Sequence, residues 1–310
     1  MPFDIVHATA FPYSWPLACG LRLARTLNVP FLLTPFLHIG DPDDPRDRTA
    51  KGYTTPSLLY LIQSADRVFV QTGLERQALL ARGVAKEKLV SQGLGVDPAE
   101  CSGGDREKAR QEWGAEGDEI LVGHLANKSR EKGTIDLLLA AQQLWKSGLR
   151  FRLVLAGPEM PNFRSFWRDF TPAGPVHILA ALDERQKRDF FAGIDVFCLP
   201  SRTDSFGLVL LEAWANGLSN VAYRAGGVAE VIRDQEDGLL VPCGAVDGLA
   251  SALALLIKQG DLRRRLGLAG KKRAEQEFGW EPKLRLVRDT YLNAIGGRQD
   301  KSRRPPTEKT

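Results

Sequence analysis

Long apolar runs are missing from this chain. No stretch approaches the ~18 residues of a membrane span. The opening Met-Pro-Phe-Asp-Ile-Val-His has neither the basic start nor the long apolar core of a secretory leader. Membrane insertion and secretion are not expected, and a cytoplasmic location is. Cysteine is confined to four scattered residues, Cys19, Cys101, Cys198 and Cys243. They form no C-x-x-C pair and no Cys/His cluster at zinc spacing, so neither a disulfide framework nor a zinc site is expected. Charge of one sign is barely in excess, with 42 Lys and Arg against 38 Asp and Glu giving a net +4. Most of that surplus is the tail from Arg298, where Arg298, Lys301, Arg303, Arg304 and Lys309 face Asp300 and Glu308. A surplus placed in a tail does not make a nucleic-acid-binding face. What is present is 310 residues at 43% hydrophobic and 26% charged, enough for about two globular domains.

Short apolar segments alternate with helical ones along the chain. Strands are expected at Phe3–His7, Pro30–Thr34, Arg67–Gln71 and Lys88–Ser91, with helices near Leu17–Leu27, Pro56–Ser64 and Leu74–Arg82. The charged, proline-containing stretch from Gly40 to Lys51 reads as an exposed loop. A second alternation follows the charged stretch Gly103–Glu119. Its strands are expected at Ile120–Gly123, Phe151–Gly157, Val176–Leu179, Ile194–Leu199, Asn220–Tyr223 and Leu239–Val241. Helices fit at Thr134–Lys146, Glu184–Ala192, Leu208–Asn216, Val228–Arg233, Ala245–Lys258, Leu262–Phe278 and Glu281–Ala294. This is an α/β pattern of two doubly wound, Rossmann-like domains with parallel sheets. The expected division is 1–117, 118–296 and a disordered basic tail from 297.

The segment Ile194–Gly217 carries the strongest chemical signal. A buried strand runs into Pro200-Ser201, a polar loop follows, and an apolar helix ends at Gly217. Loops after strand ends and helix N-termini are where open α/β sheets hold anionic ligands. Asp204 sits in the loop and Glu212 on the helix, among Leu208, Val209, Leu210, Leu211, Ala213, Trp214 and Ala215. A lone carboxylate there is either part of a wet stripe with Ser205 and Asn216 or a buried group with partners.

The run P-S-R-T-D-S-F-G-L-V-L-L-E-A-W-A-N-G resembles the signature of retaining family-4 glycosyltransferases, the group 1 enzymes of GT-B fold. Asp204 stands where the first of two glutamates is usual, and Glu212 matches the second. Gly123 to Gly133 resembles the family's G-R-x…K-G loop, Leu155-Ala156-Gly157 the strand that follows, and Ala225 to Ile232 its G-G-x-x-E-x-I turn. Asp237 to Val241, Phe278-Gly279-Trp280, Asp4 to Ala8, Asp66 to Val70 and Gly93 to Asp97 agree in order. The likeness covers roughly residues 3–295.

The resemblance implies a sugar moved from a nucleotide diphosphate sugar to a glycan, lipid or small-molecule acceptor, without a metal. Asp41-Pro42-Asp43 has the letters of a metal motif but reads as a surface loop. Catalytic roles are implied for His38, Asp204 and Lys132. Donor binding is implied for Gly123, His124, Lys128, Arg130, Lys132, Ser205, Phe206, Gly207, Leu208 and Glu212. His124 replaces a usual arginine, which leaves Lys128 or Arg130 to supply charge. His7 reads as structural and His177 as core. The family's first βα units, roughly 60–90 residues at ~30 per unit, have no counterpart before Phe3, so an apolar strand edge is expected near Phe3–His7. A late start, an inactive nucleotide-sugar-binding protein, or a partner chain completing that sheet would each account for this. An epimerase of the same fold is a weaker alternative, and membrane contact is expected to be peripheral at most.

Overall fold

The computed structural model describes residues 3–9, 12–41, 44 and 46–302, with side chains described to residue 297. The chain divides into two compact units. One holds residues 1–39, 45–94 and 280–310, the other 40–44 and 95–279.

In the first unit, β1 (Val6–Ala8), α1 (Ser14–Leu27), β2 (Phe31–Leu33), α2 (Thr49–Tyr53), α3 (Pro56–Ser64), β3 (Arg67–Val70), α4 (Gly73–Leu80) and β4 (Leu89–Ser91) follow in order. The four strands form one parallel sheet, β1-β2-β3-β4, with Leu33 opposite Val68 and Phe69 opposite Val90. Local chemistry sets the helix starts. Thr55 accepts from the Leu58 N–H ahead of Pro56, and Thr72 accepts from the Glu75 N–H. Leu17, Leu21 and Ala24 of α1 pack on Phe31, Leu33 and Val68 of the sheet. β1 lies at one edge, and Phe3 before it is 59% exposed.

The second unit begins with α5 (Pro98–Cys101) and α6 (Arg106–Glu112), and continues through β5 (Leu121–Leu125), α7 (Thr134–Lys146), β6 (Arg152–Ala156), α8 (Pro161–Asp169), β7 (Val176–Leu179) and α9 (Glu184–Gly193). It then runs through β8 (Val196–Leu199), α10 (Leu208–Ala215), β9 (Ser219–Arg224), α11 (Val228–Val231), β10 (Gly238–Pro242), α12 (Val246–Lys258) and α13 (Gly260–Glu277). Its six strands are all parallel, ordered β10-β9-β8-β5-β6-β7. The chain therefore builds outward from β5 through β6 to β7, then returns to start again at β8 beside β5. In open α/β sheets such a reversal opens a crevice at the carboxyl ends of the two strands, the favoured ligand position. The loops after β5 and β8 flank it.

The division falls at 94/95 rather than 117/118. Two helices that were not expected stand here, α5 just before the charged stretch and α6 within it, and α6 is held to the second sheet by real partners. Arg106 and Arg110 reach the Asp195 carboxylate at 2.7 and 3.1 Å, and buried Trp113 lies where a Cβ on Gly193 would collide with it. The last helix, α14 (Trp280–Ser302), groups with the first unit, where the Tyr291 hydroxyl meets His7 Nδ1 at 2.6 Å. It runs through 297–302, part of the expected tail, while 303–310 lie outside the described residues. Two further helices sit where no helix was expected. α2 begins inside the stretch that read as an exposed loop, taking up its last three residues, and α8 presents Phe163, Phe166 and Trp167 to the core. Among the described residues no helix is long and apolar enough to cross a membrane.

Candidate functional site

Three loops meet by their backbones at the reversal point. Gly133, the residue before α7, sits at φ +73° in the left-handed region, and a Cβ there would overlap the Pro200 carbonyl oxygen. Gly227, ahead of α11, would likewise overlap the Ser205 carbonyl oxygen. Only glycine permits such approaches. Hydrogen bonds close the same seams. The Arg202 N–H donates to Glu131 O at 2.9 Å, and the Gly227 N–H to Asp204 O at 2.9 Å.

This packing brings Lys132 and Asp204, 72 positions apart, into an ion pair of 2.7 Å. They are 26% and 14% exposed, so the pair is screened only in part. The other Asp204 oxygen accepts from the Gly207 N–H at 3.0 Å and the Phe206 N–H at 3.4 Å. Asp204 thus ties down the turn leading into α10. One methylene fewer than glutamate lets the carboxylate close on its own loop while still holding the lysine. Gly207 stands at φ +86° immediately before α10, and Leu208 begins that helix at 37% exposure. Ser205 is half-buried between them.

Four expected donor contacts are turned inward. Gly123 lies within β5, where a Cβ would come within 2.5 Å of Ile194 and 2.8 Å of Phe190, so its lack of a side chain serves sheet–helix packing. His124 is fully buried. Its Nδ1–H donates to Cys198 O at 2.9 Å, since a carbonyl can only accept, and its Nε2 accepts from the Thr134 hydroxyl at 2.9 Å. Burial pushes its pKa down to about 4, so it is a neutral strut rather than a cation. Lys128 is 1% exposed and aims Nζ at Leu179 O, 2.6 Å away, joining the loop after β5 to the end of β7. Phe206 is buried edge-on against Phe278, so only its backbone remains for a ligand. Arg130 is exposed and lines an open cleft of about 510 Å³ with Asn162, Phe166 and Asp169 of α8 and Phe170 beyond it.

His124 gives a pH dependence whose sign follows from its depressed pKa. The unfolded imidazole takes its proton near 6.5 and the folded one only near 4. Stability is therefore present above pH 6.5 and is lost as pH falls towards 4, by on the order of 3 kcal/mol from this group. Urea unfolding followed by tryptophan fluorescence should show a steeper acid-side loss in the wild type than in His124→Asn. Equal slopes would contradict the neutral, sealed state.

Glu212, 12% exposed, has a partner that the sequence did not disclose. Lys187 of α9 lies 2.9 Å from it and is shared with Glu184 at 3.0 Å. Burial raises the Glu212 pKa and the Lys187 ammonium opposes the rise. The wet-stripe reading gives way to a buried carboxylate with a partner, while Asn216 donates to Cys101 O and Glu212 O instead. A second undisclosed contact is Arg202, which donates to Asp136 at 2.6 Å, where the Tyr223 hydroxyl also donates at 3.1 Å. Neither pairing has a sequence signature, because the partners come from separate helices and strands.

His38 belongs to the first unit, its ring stacked on Tyr53 at 4.9 Å. His7 bridges Tyr291 and the Thr34 hydroxyl, a structural role as read from sequence, and His177 is half-buried on β7. Pro42 and Asp43 lie outside the described residues. Among the described residues no cluster of three or more His, Cys, Asp or Glu is placed to hold a metal ion.

Comparison with known proteins gives the family and the fold. Residues 105–273 match the family model of glycosyl transferases group 1, and residues 1–93 that of a glycosyl transferase 4-like domain. A D-inositol 3-phosphate glycosyltransferase of Kribbella flavida is 31% identical over 246 residues, which are 76% of this chain and 58% of that one. The lipopolysaccharide core biosynthesis glycosyltransferase LpsE of Rhizobium meliloti is 29% identical over 181 residues, 58% of this chain and 51% of that one. The chain therefore spans little more than half the length of these relatives. Among solved structures, sucrose-phosphate synthase from Thermosynechococcus elongatus superposes with a TM-score of 0.77 at 23% identity, covering 95% of this chain and 74% of that one. Anabaena Alr3699/HepE in complex with UDP-glucose gives a TM-score of 0.78 at 20% identity, covering 94% and 79%. These two show the fold.

Proposed function

The chain belongs to the glycosyl transferases of group 1, and from that premise we propose that it moves a sugar from a nucleotide diphosphate sugar to an acceptor with retention of anomeric configuration. The observation that carries the reading is the Lys132–Asp204 pair at the sheet's reversal point, immediately before the first turn of α10. Departure of the diphosphate places growing negative charge where fixed cations and free N–H groups stabilise it most. Lys132, released from Asp204, is the cation proposed to meet that charge. The backbone at Leu208 supplies an N–H at the helix start, just after the Gly207 N–H that Asp204 holds. Asp204, relieved of the lysine, can accept from sugar hydroxyls, and Glu212 from the ribose hydroxyls. His38 is the proposed contact with the transferred sugar. The HepE structure with UDP-glucose supports a nucleotide-sugar donor for this fold. The acceptor is proposed to be a glycan, lipid or small molecule.

One observation favours a second reading, a protein that binds nucleotide sugar without turnover. With His124 neutral and Lys128 turned to Leu179 O, the site holds less positive charge than its loop sequence suggests. A thermal-shift series with UDP, GDP, ADP and their sugars tests donor binding. A ligand at ~100 times its dissociation constant adds ~2.7 kcal/mol, so at least one nucleoside diphosphate should raise the melting temperature. A folded sample stabilised by none of them would refute both readings. Release of free nucleoside diphosphate from a bound sugar donor would then decide between them.

A further inference from the structure

A carboxylate with no assigned part in sugar transfer is sealed inside the first unit. Glu75, in the first turn of α4, is fully buried. Its Oε1 accepts from the Leu37 N–H at 2.9 Å, and its Oε2 from the Gln71 N–H at 2.5 Å. A single carboxylate therefore joins the end of β3 to the loop after β2, one residue before His38. That loop is strained next to the contact. Phe36 stands at φ +48°, a left-handed conformation that a bulky residue adopts only where its surroundings enforce it. The side chain of Leu37 is buried at 1% exposure, and Tyr53 stacks on the His38 ring. Ring and backbone are thus fixed separately, the ring by Tyr53 and the backbone by Glu75.

We propose that Glu75 is a positioning residue: by accepting the Leu37 N–H it holds the strained Phe36–Leu37 turn, and through it sets the His38 imidazole for the transferred sugar. This rests on the role proposed above for His38. The arrangement needs two acceptor oxygens, since two N–H groups converge on it. An amide offers one oxygen and would set an NH₂ group against the other donor. Burial raises the Glu75 pKa to about 7, against the opposing pull of the two N–H groups. A carboxylate kept in so apolar a place is consistent with a positional demand.

A double-mutant cycle of Glu75→Gln with His38→Ala in the full chain tests this. Glu75→Gln should lower kcat about 10-fold or more while leaving donor KM within about 2-fold. In the His38→Ala background the same change should alter kcat by less than about 2-fold, because the group it positions is gone. Equal fold-losses in both backgrounds would overturn the proposal, since a merely structural role is additive. If Glu75→Gln does not fold, Glu75→Asp, which keeps both acceptor oxygens but shortens their reach, takes its place in the same cycle. NMR decides the inference separately from activity. In the Glu75 variant the Leu37 amide and His38 ring signals should shift, and unmoved His38 signals would overturn the positioning role even in an active enzyme. Absence of turnover with any donor, beside shifted His38 signals, would instead sink the transferase reading and leave the Glu75–His38 linkage standing.

Discussion

Lys132→Ala is expected to weaken nucleoside diphosphate binding about 10- to 100-fold, because a hydrogen bond to a charged group contributes ~1.5–3 kcal/mol. The loss should lie nearer the lower figure, because wild-type Lys132 must first leave Asp204, 2.7 Å away, to meet a phosphate. Turnover should suffer more, by about 10²- to 10³-fold, since the charge on the departing diphosphate grows in the transition state. Asp204→Asn gives the opposite sign in binding. Removing the competing anion frees the lysine, so the product diphosphate should bind more tightly while transfer falls, and the gain should shrink as salt is raised. Isothermal titration of both variants at two ionic strengths checks this. Unchanged affinity in Lys132→Ala would place the diphosphate elsewhere.

Gly133→Ala should be the most damaging small substitution in the site. The added methyl must overlap the Pro200 carbonyl oxygen, a rigid backbone atom, and the residue must also keep φ at +73°. Overpacking costs ~1–3 kcal/mol and the left-handed conformation ~1–2 kcal/mol. Together these predict a melting temperature lower by at least roughly 5 °C for a unit of this size. Because the strain separates the loops carrying Lys132 and Asp204, diphosphate affinity should fall with it. Gly148→Ala is the control, with φ +86° and nothing within 4 Å of the new methyl. It should bear only the backbone cost and keep wild-type affinity. Equal effects of the two substitutions on binding would refute the packing argument.

The parts of the fold that were legible in the sequence are those whose signals are local. Pro56–Ser64, Thr134–Lys146 and Val176–Leu179 begin and end where expected. A threonine cap with a following proline, and a glycine before an apolar helix, are written in adjacent residues. α6 was hidden because it lies in a charged stretch without apolar periodicity, whereas its Arg106 and Arg110 serve Asp195 more than eighty positions later. α8 was hidden because its nine residues mix arginine and aspartate with aromatics that face the core. The candidate residues divide in the same way. Lys132, Asp204 and Glu212 were singled out from the spacing of a motif. Their neighbours Lys187 and Arg202, and Glu75 in the first unit, were not, because each acquires its meaning from a partner on another element. His124 and Lys128 show the converse limit, since loop spacing puts a side chain near a site without saying which way it turns.

The central claim is that the loops at the reversal of the second sheet bind a nucleotide diphosphate. Amide chemical-shift mapping of the full chain during titration with the best-stabilising nucleoside diphosphate tests it most directly. The largest shifts should fall on Lys132, Gly133, the backbone from Asp204 to Leu208, and Glu212, and those at the loop residues should be lost in Lys132→Ala. Shifts centred instead on the cleft lined by Arg130 and Phe166, or on the opposite ends of the strands, would contradict the account.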